Sequence, residues 1–481
     1  MEQKLPRALP SEAGVNPQAV LQFVKTLDEN VGTLHSLMIV RHGKVIAEGW
    51  WAPYRPQETH MVYSFSKGLT SCAIGFAVQE GLLTVDDPVL SFFPGVLPSR
   101  PCENMEKMKV KHLLTMATGH TEPPNVEPYD NWAYRFLSSY VPLEPGSKFQ
   151  YNNAASHMLS AIIQKLSGKT LEEYLRPRLF EPLGIVDYWW EKSSQGITTG
   201  GFGCNLKTED MAKFGLFYLN KGKWNGKQLL DPAWIEASTS WQVDNRCHSN
   251  GDWGAGYGYQ FWMCQPENTY RADGAFGQLC VTMPDQDALV IITGATTAEA
   301  ALMDPIWEIL MPAMTESPLP SDPQSQNLLE EKLGKLTLCP PYGTLNPEDM
   351  SLLRFSDIQW ELSANLPGFT QLQLHFGDSP VVTLCQGKYA CTLPIGTGCW
   401  ADGFTFAQEK APGKISPNTS LYQRVSCAGA WEGNDYILKM VYRNTPYEDT
   451  LRFVFRESGP IIHFRRNVSF QPEYPLTIFC H

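Results

Sequence analysis

Apolar and polar positions alternate in recognisable ways along the first two thirds of the chain. Residues 37–40 are apolar, 41–44 form a polar turn and 45–49 return, which predicts a β-hairpin. Over 64–81, Leu69, Cys72, Ala73, Phe76 and Ala77 recur at spacings of three and four, which predicts a helix with one buried face, stopped at Gly81. Further helices are expected over 110–117, over 154–166 before Gly168, and over 211–219 before the turn at 221–223. The apolar runs at 279–283 and 288–293 read as paired strands around Pro284-Asp285. Strands at both ends with helices between predict an antiparallel sheet flanked by helices.

The pattern then changes. Residues 316–323 are polar and proline-rich, as in a linker, and 324–336 form a short helical stretch. Beyond it, runs at 371–375, 381–384, 436–442, 451–455 and 461–465 are separated by turn residues and predict a small all-β unit. At 481 residues the chain exceeds one ordinary domain. The expected organisation is a first domain over 1–314, a linker over 315–345 and an all-β domain over 346–481. The fold class is α/β in the α+β sense, with a sheet, flanking helices and a helical subdomain.

Composition narrows the classes. Hydrophobic residues make up 43% and charged residues 18%, enough for a sizeable core. A formal net charge of −12 argues against nucleic acid and anionic membranes as partners. The longest apolar runs, near 72–78 and 288–294, are too short for a membrane span, and the first seven residues lack the apolar core of a signal peptide. The twelve cysteines contain no CxxC, so reduced cysteines in the cytoplasm are the default. The ten histidines form no HExxH or HxH pair. No metal and no cofactor is expected.

A serine hydroxyl needs a base within hydrogen-bond reach. Ser64 and Lys67, three positions apart at the start of the predicted helix, share one face. The helix N-terminus offers free N–H groups to a developing oxyanion, and burial lowers the pKa of a lysine. The plainer alternative is a helix start with a solvated lysine. Ser-x-x-Lys occurs once in the chain, however, and within a Tyr63-to-Gly68 context that enters a helix. Tyr151-Asn152-Asn153 is the second element: a phenol near an ammonium can have a lowered pKa and relay protons, and an Asn can hold the lysine or a substrate carbonyl. A second Tyr-x-Asn, at 442–444, reads as ordinary strand. The chain contains no Gly-x-Ser-x-Gly and no Gly-rich nucleotide signature.

Over roughly 10–312 these segments resemble the serine β-lactamase and penicillin-binding-protein-like superfamily, in particular its class C β-lactamase-like esterases and peptidases. The likeness includes the opening hairpin at 34–44, the segment 80–89, the stretch 110–120 similar to "HLLTHTSG", and Gly200-Gly201-Phe202-Gly203 followed by 209–212. The superfamily's third motif, Lys-Thr-Gly or His-x-Gly, corresponds to Ala272-Asp273-Gly274. The resemblance implies that Ser64 is the nucleophile, with Lys67 and Tyr151 as base and acid. It further implies that the N–H groups of Ser64 and Ala275 form the oxyanion hole, with Asn153, Asp273, Gly274 and Phe276 contacting substrate. Ala272 replaces a cation that β-lactam-recognising relatives direct at a substrate carboxylate, which points away from β-lactams.

The expected activity is hydrolysis of an ester or small amide through an acyl-enzyme. The alternatives are a D-amino-acid-type peptidase or aminopeptidase, in which Asp273 would meet a cationic group, and an inactive binding module. A binding module would have no chemical need of Ser64, Lys67 and Tyr151. Tyr54, Trp132, Trp189, Trp190, Tyr257, Tyr259, Trp262 and Phe276 are candidate pocket aromatics against a core reading, and His120 and His157 read as structural. The loops at 121–150 and 185–200 would form the rim. The partner expected is a small ester, amide or short peptide. The all-β unit resembles lipocalin-like domains of the superfamily, which can cover the active-site mouth or support a homo-oligomer.

Overall fold

Two strands of the predicted hairpin, β1 (Leu34–Arg41) and β2 (Lys44–Trp50), pair antiparallel, and their alternating residues face two different cores. Met38 and Val40 join one apolar cluster, while Leu37 and Ile39 join the other. That division requires a sheet covered on both faces. The sheet is completed by β3 (Trp262–Met263), β4 (Tyr270–Gly274), β5 (Gln278–Met283) and β6 (Ala288–Gly294), in the order β2-β1-β6-β5-β4-β3, antiparallel throughout. This is a computed structural model, and it describes residues 4–95, 101–124, 126, 130–365, 368–406, 422–470 and 476–480. Residues 1–3 of the opening stretch, and 125 and 127–129 of the expected rim loop, lie outside the described residues.

The helices α1 (Pro17–Val31), α2 (Ser66–Gln79), α3 (Asn153–Ser167), α4 (Thr208–Leu219) and α5 (Ala300–Pro305) flank the sheet. α1 and α5 cover the face of Leu37 and Ile39, and α2, α3 and α4 belong to the cluster on the other face. α2 is buried almost throughout, so its apolar face is wider than the expected stripe. It also starts later than its periodicity suggests: Tyr63–Phe65 is a 3₁₀ turn, and the α-helix begins at Ser66. Tyr63 has φ 47°, outside the helical region, which forces the separate turn. The helix expected over 110–117 closes at Leu114, because Met116 has φ 57°.

Within 315–345 lies α6 (Pro323–Gly334), capped by the Asp322 side chain, which accepts from the Ser325 N–H at 3.1 Å. Its Leu329 is buried in the cluster that covers α1, and Lys332 pairs with Asp28.

The C-terminal region is all-β. One antiparallel sheet runs β7 (Gln359–Glu361), β8 (Gln371–His375), β9 (Val381–Gln386) and β10 (Tyr389–Pro394). A second runs β11 (Ala401–Phe406), β12 (Tyr422–Glu432), β13 (Asp435–Tyr442), β14 (Glu448–Arg456), β15 (Gly459–Arg466) and β16 (Leu476–Phe479), each antiparallel to the next. Inward residues of both, among them Leu372, Leu384, Leu438 and Phe453, share one core. Tyr63 and Phe276 join that core from the first region. Among the described residues, no helix is long and apolar enough to cross a membrane.

Candidate active site

The approach to α2 is an irregular, tightly tied segment. His60–Met61 pairs with Cys204–Leu206, and the Val62 N–H donates to Cys204 O at 2.9 Å. The Ser66 hydroxyl donates to Tyr63 O at 2.6 Å and accepts from the Cys204 N–H at 3.2 Å. These ties fix Ser64 in the 3₁₀ turn just ahead of the helix, where it remains half-buried and reachable. Free backbone N–H groups gather at such a helix entry.

Lys67 is 1% exposed. Its Nζ lies 3.1 Å from Ser64 Oγ and 2.6 Å from both Asn153 Oδ1 and Gly201 O. Asn153 is the first residue of α3, whose cap Asn152 accepts from the Ala155 N–H at 3.2 Å, so helix capping presents Asn153 to the lysine. Gly201 belongs to the Gly-rich turn. Burial lowers the Lys67 pKa well below its ordinary value, and the Asp273 charge opposes this only partly.

Tyr151 sets its ring against the lysine, with Nζ 4.7 Å from the ring centroid. The expected lowering of its phenol pKa is not what the surroundings produce. Burial pushes it up, and a hydrogen bond with Ser64 opposes that shift. The physical reason is that desolvation of the phenolate outweighs the Ser64 hydrogen bond, and the Asp273 and Glu299 charges add to the rise, so the phenol keeps its proton. Trp262 lies nearly parallel to Tyr151 at 5.7 Å and His248 at 6.2 Å.

The end of β4 approaches the same point. A Cβ on Gly274 would come within 2.1 Å of Val62 O, so glycine is what allows this strand to reach the chain entering Ser64. The half-buried Ala275 follows. Phe276, at φ 66°, and Gly277, at φ 87°, turn the chain into β5. The Gln278 side-chain amide ties the turn, donating to Ala275 O at 3.1 Å, Phe276 O at 3.2 Å and Gly294 O at 2.8 Å. Phe276 packs edge-on to Tyr63 with centroids 5.6 Å apart.

Asp273 is 9% exposed and accepts from the fully buried Arg271 Nε at 2.9 Å. Burial raises its pKa, and Arg271 counters that. Glu299, half-buried at the start of α5, has its carboxyl pushed up to about 7 by burial and then by the Asp273 charge. Ala272 is buried within β4.

The structure thus gathers Ser64, Lys67, Tyr151 and Asn153, with Gly274, Ala275 and Phe276 on the adjoining strand end. Of the other aromatics, Tyr54 stacks on His35 at 3.8 Å and donates to Thr445 O, while Trp132 packs edge-on to His157. Trp190 donates to Phe202 O, Tyr257 packs on Phe149, Tyr259 packs on Trp234, and Trp189 is half-buried. His120 bridges Thr118 and Ser139 at 2.9 and 2.8 Å. Sequence reading gave no role to His248 and Glu299, which lie in no recognised motif, or to Gln278, which ends the segment 272–278 matched to the third motif. A polar Gln opening an apolar strand was the one available signal. Among the described residues, no three His, Cys, Asp or Glu side chains gather as a metal site would need.

Residues 27–307 match the family described as Beta-lactamase. The 6-aminohexanoate-dimer hydrolase of Paenarthrobacter ureafaciens is 22% identical over 48% of this chain and 64% of its own length. A beta-lactamase of Escherichia coli (strain K12) is 21% identical over 54% of this chain and 81% of its own. The penicillin-binding protein homologue from Caulobacter crescentus superposes with a TM-score of 0.50 at 16% identity, covering 67% of this chain and 98% of that one. The chain spans just under two thirds of the hydrolase it matches.

Proposed function

Starting from a chain that belongs to the beta-lactamase family, a hydrolase family, we propose that it cleaves a carboxylic ester or small amide through an acyl-enzyme on Ser64. The setting of Lys67 carries this reading. A neutral amine has two N–H groups and one lone pair. Asn153 Oδ1 and Gly201 O, each 2.6 Å away, accept the two N–H groups, which leaves the lone pair for the Ser64 hydroxyl at 3.1 Å. Burial favours that neutral form.

Ser64 Oγ attacks the acyl carbonyl as its proton passes to Lys67. The carbonyl oxygen becomes an anion held by the N–H groups of Ser64 and Ala275, each donor contributing about 3 kcal/mol in such sites. As the C–O or C–N bond breaks, the Tyr151 hydroxyl protonates the leaving group and Lys67 returns a proton to Tyr151. Water then attacks the ester on Ser64, giving its proton to Lys67. The carbonyl reforms, and Ser64 leaves as the alcohol after recovering that proton.

We read the chain as nearest the class C-like esterase branch, because Ala272 offers no cation to a substrate carboxylate. Gly274 and Phe276 would border the acyl group. The catalytic domain is taken as 1–314, with a linker over 315–345 and a lipocalin-like unit over 346–481. The cysteine spacing supports a cytoplasmic setting.

An amine-bearing amide is the second reading. The half-buried Glu299 beside Asp273 favours a substrate ammonium, and one relative is named a 6-aminohexanoate-dimer hydrolase. A fluorophosphonate probe followed by peptide mass spectrometry should label Ser64, and labelling elsewhere overturns the assignment. A panel of short acyl esters, D- and L-aminoacyl amides and nitrocefin at equal concentration separates the substrate classes. Preference for the amides would favour the second reading over the first.

A further inference from the structure

Two residues that flank the proposed oxyanion donors share an unusual backbone. Tyr63, before Ser64, has φ 47°, and Phe276, after Ala275, has φ 66°. Large side chains seldom adopt this left-handed region, so the surrounding structure must hold them there. Within the first region they hold each other, through their edge-on ring contact. The rest of the grip comes from the all-β region.

Phe470 lies against both rings, with centroids 5.7 Å from Tyr63 and 4.7 Å from Phe276. The Tyr63 hydroxyl donates to the Tyr447 hydroxyl at 3.0 Å, across 384 positions of sequence. Tyr447 is itself braced by the Arg466 guanidinium, 4.8 Å from its ring centroid. Just upstream, the Met61 N–H donates to Asn444 O at 2.8 Å, and Asn444 Nδ2 donates to Thr59 O at 2.9 Å. One short segment, 444–447, together with Phe470, therefore grips the chain on its way into Ser64.

We propose that the C-terminal β unit is a positioning element for acyl transfer, in which Tyr447 and Phe470 hold Tyr63 and Phe276 so that the Ser64 and Ala275 N–H groups converge on one oxygen. This rests on the reading of Ser64 and Ala275 given above. It makes the β unit part of the site's alignment rather than an appendage. Because Tyr63 and Phe276 each adjoin a donor, loss of the grip acts on the oxyanion, a group that forms only as the reaction proceeds. The effect belongs in kcat rather than KM.

The experiment compares full-length Phe470→Ala, Phe470→Tyr and Tyr447→Phe with the parent protein. Phe470 is 61% exposed, and Tyr447→Phe removes only a hydroxyl, so both sites tolerate change without loss of the fold. The readouts are kcat and KM on p-nitrophenyl acetate, inhibition by phenylboronic acid, and the rate and position of fluorophosphonate labelling. Phe470→Ala should lower kcat, the labelling rate and boronate affinity by about tenfold each, with KM within about twofold. Phe470→Tyr, which keeps the ring, should restore all three, and Tyr447→Phe should give a smaller loss of the same kind. If the label sits on Ser64 and Phe470→Ala changes nothing, the positioning role is overturned while the nucleophile stands. A change confined to KM also overturns it, since Phe470 would then be only a substrate contact. A label on another residue overturns the reading of Ser64, and the positioning role with it.

Discussion

Lys67 Nζ lies 2.6 Å from the side-chain oxygen of Asn153, and that neutral acceptor leaves the lysine's protonation under the control of burial. A carboxylate at the same place would favour the ammonium instead. Asn153→Asp should therefore move the rising limb of kcat/KM to higher pH by about one unit or more. Activity at neutral pH would fall and recover as the pH is raised. A pH–rate profile of the variant beside the parent checks this, and an unmoved limb would count against Lys67 as the base.

The same burial carries a stability signature. The folded pKa of Lys67 is lowered, so between that pKa and the ordinary lysine value near 10.4 the unfolded chain binds one more proton than the folded one. Stability therefore rises with pH across this window, and the cost of burying the lysine is complete below the folded pKa. Lys67→Met removes the cost together with its pH dependence. Urea unfolding at several pH values between about 7 and 10 should give the parent a steeper rise than the variant.

Gly274→Ala places a methyl group where Val62 O already stands, at 2.1 Å. Val62 O is backbone and the methyl group is fixed rigidly to the strand, so the strand end must shift. The Ala275 N–H shifts with it. Activity on an ester that the parent cleaves should drop by about 10²-fold, and unfolding free energy by about 1–3 kcal/mol. Steady-state kinetics and thermal melting measure the two effects separately.

Arg271 is wholly buried, and its Nε meets Asp273 at 2.9 Å. Its Nη1 also donates to Asp252 O and Met263 O at 3.0 and 3.1 Å. Arg271→Met leaves a buried carboxylate without its partner and should cost about 3–5 kcal/mol. Pairing it with Asp273→Leu removes that orphan charge, so the double variant should be the more stable of the two by denaturant unfolding.

The features legible in the chain itself are those that depend on near neighbours. Ser64 and Lys67 share a face because three residues make nearly one helical turn. β1 and β2 are legible because a short polar turn follows an apolar run and the chain then returns, and β5 and β6 are legible for the same reason, although the first turn is only His42-Gly43 because Arg41 and Lys44 pair within the hairpin. The strand β12 is not legible in the chain because Cys427, Ala428, Gly429 and Ala430 carry little of the β-branched and aromatic signal. The direction of the Tyr151 pKa is not legible in the chain, because the neighbouring lysine is visible in a motif while the burial of the phenol is not.

What the sequence by itself determined was a serine and a lysine on one turn, a sheet with helices, and a separate β unit. Only the tertiary structure decided that Gly201 and Asn153 divide the lysine's protons, that Val62 needs a glycine opposite it, and that Tyr447 reaches Tyr63. The reason is physical. A period of 2 or 3.6 states which face of an element is buried but not what buries it. Partners hundreds of positions apart are selected by the packing of the whole core.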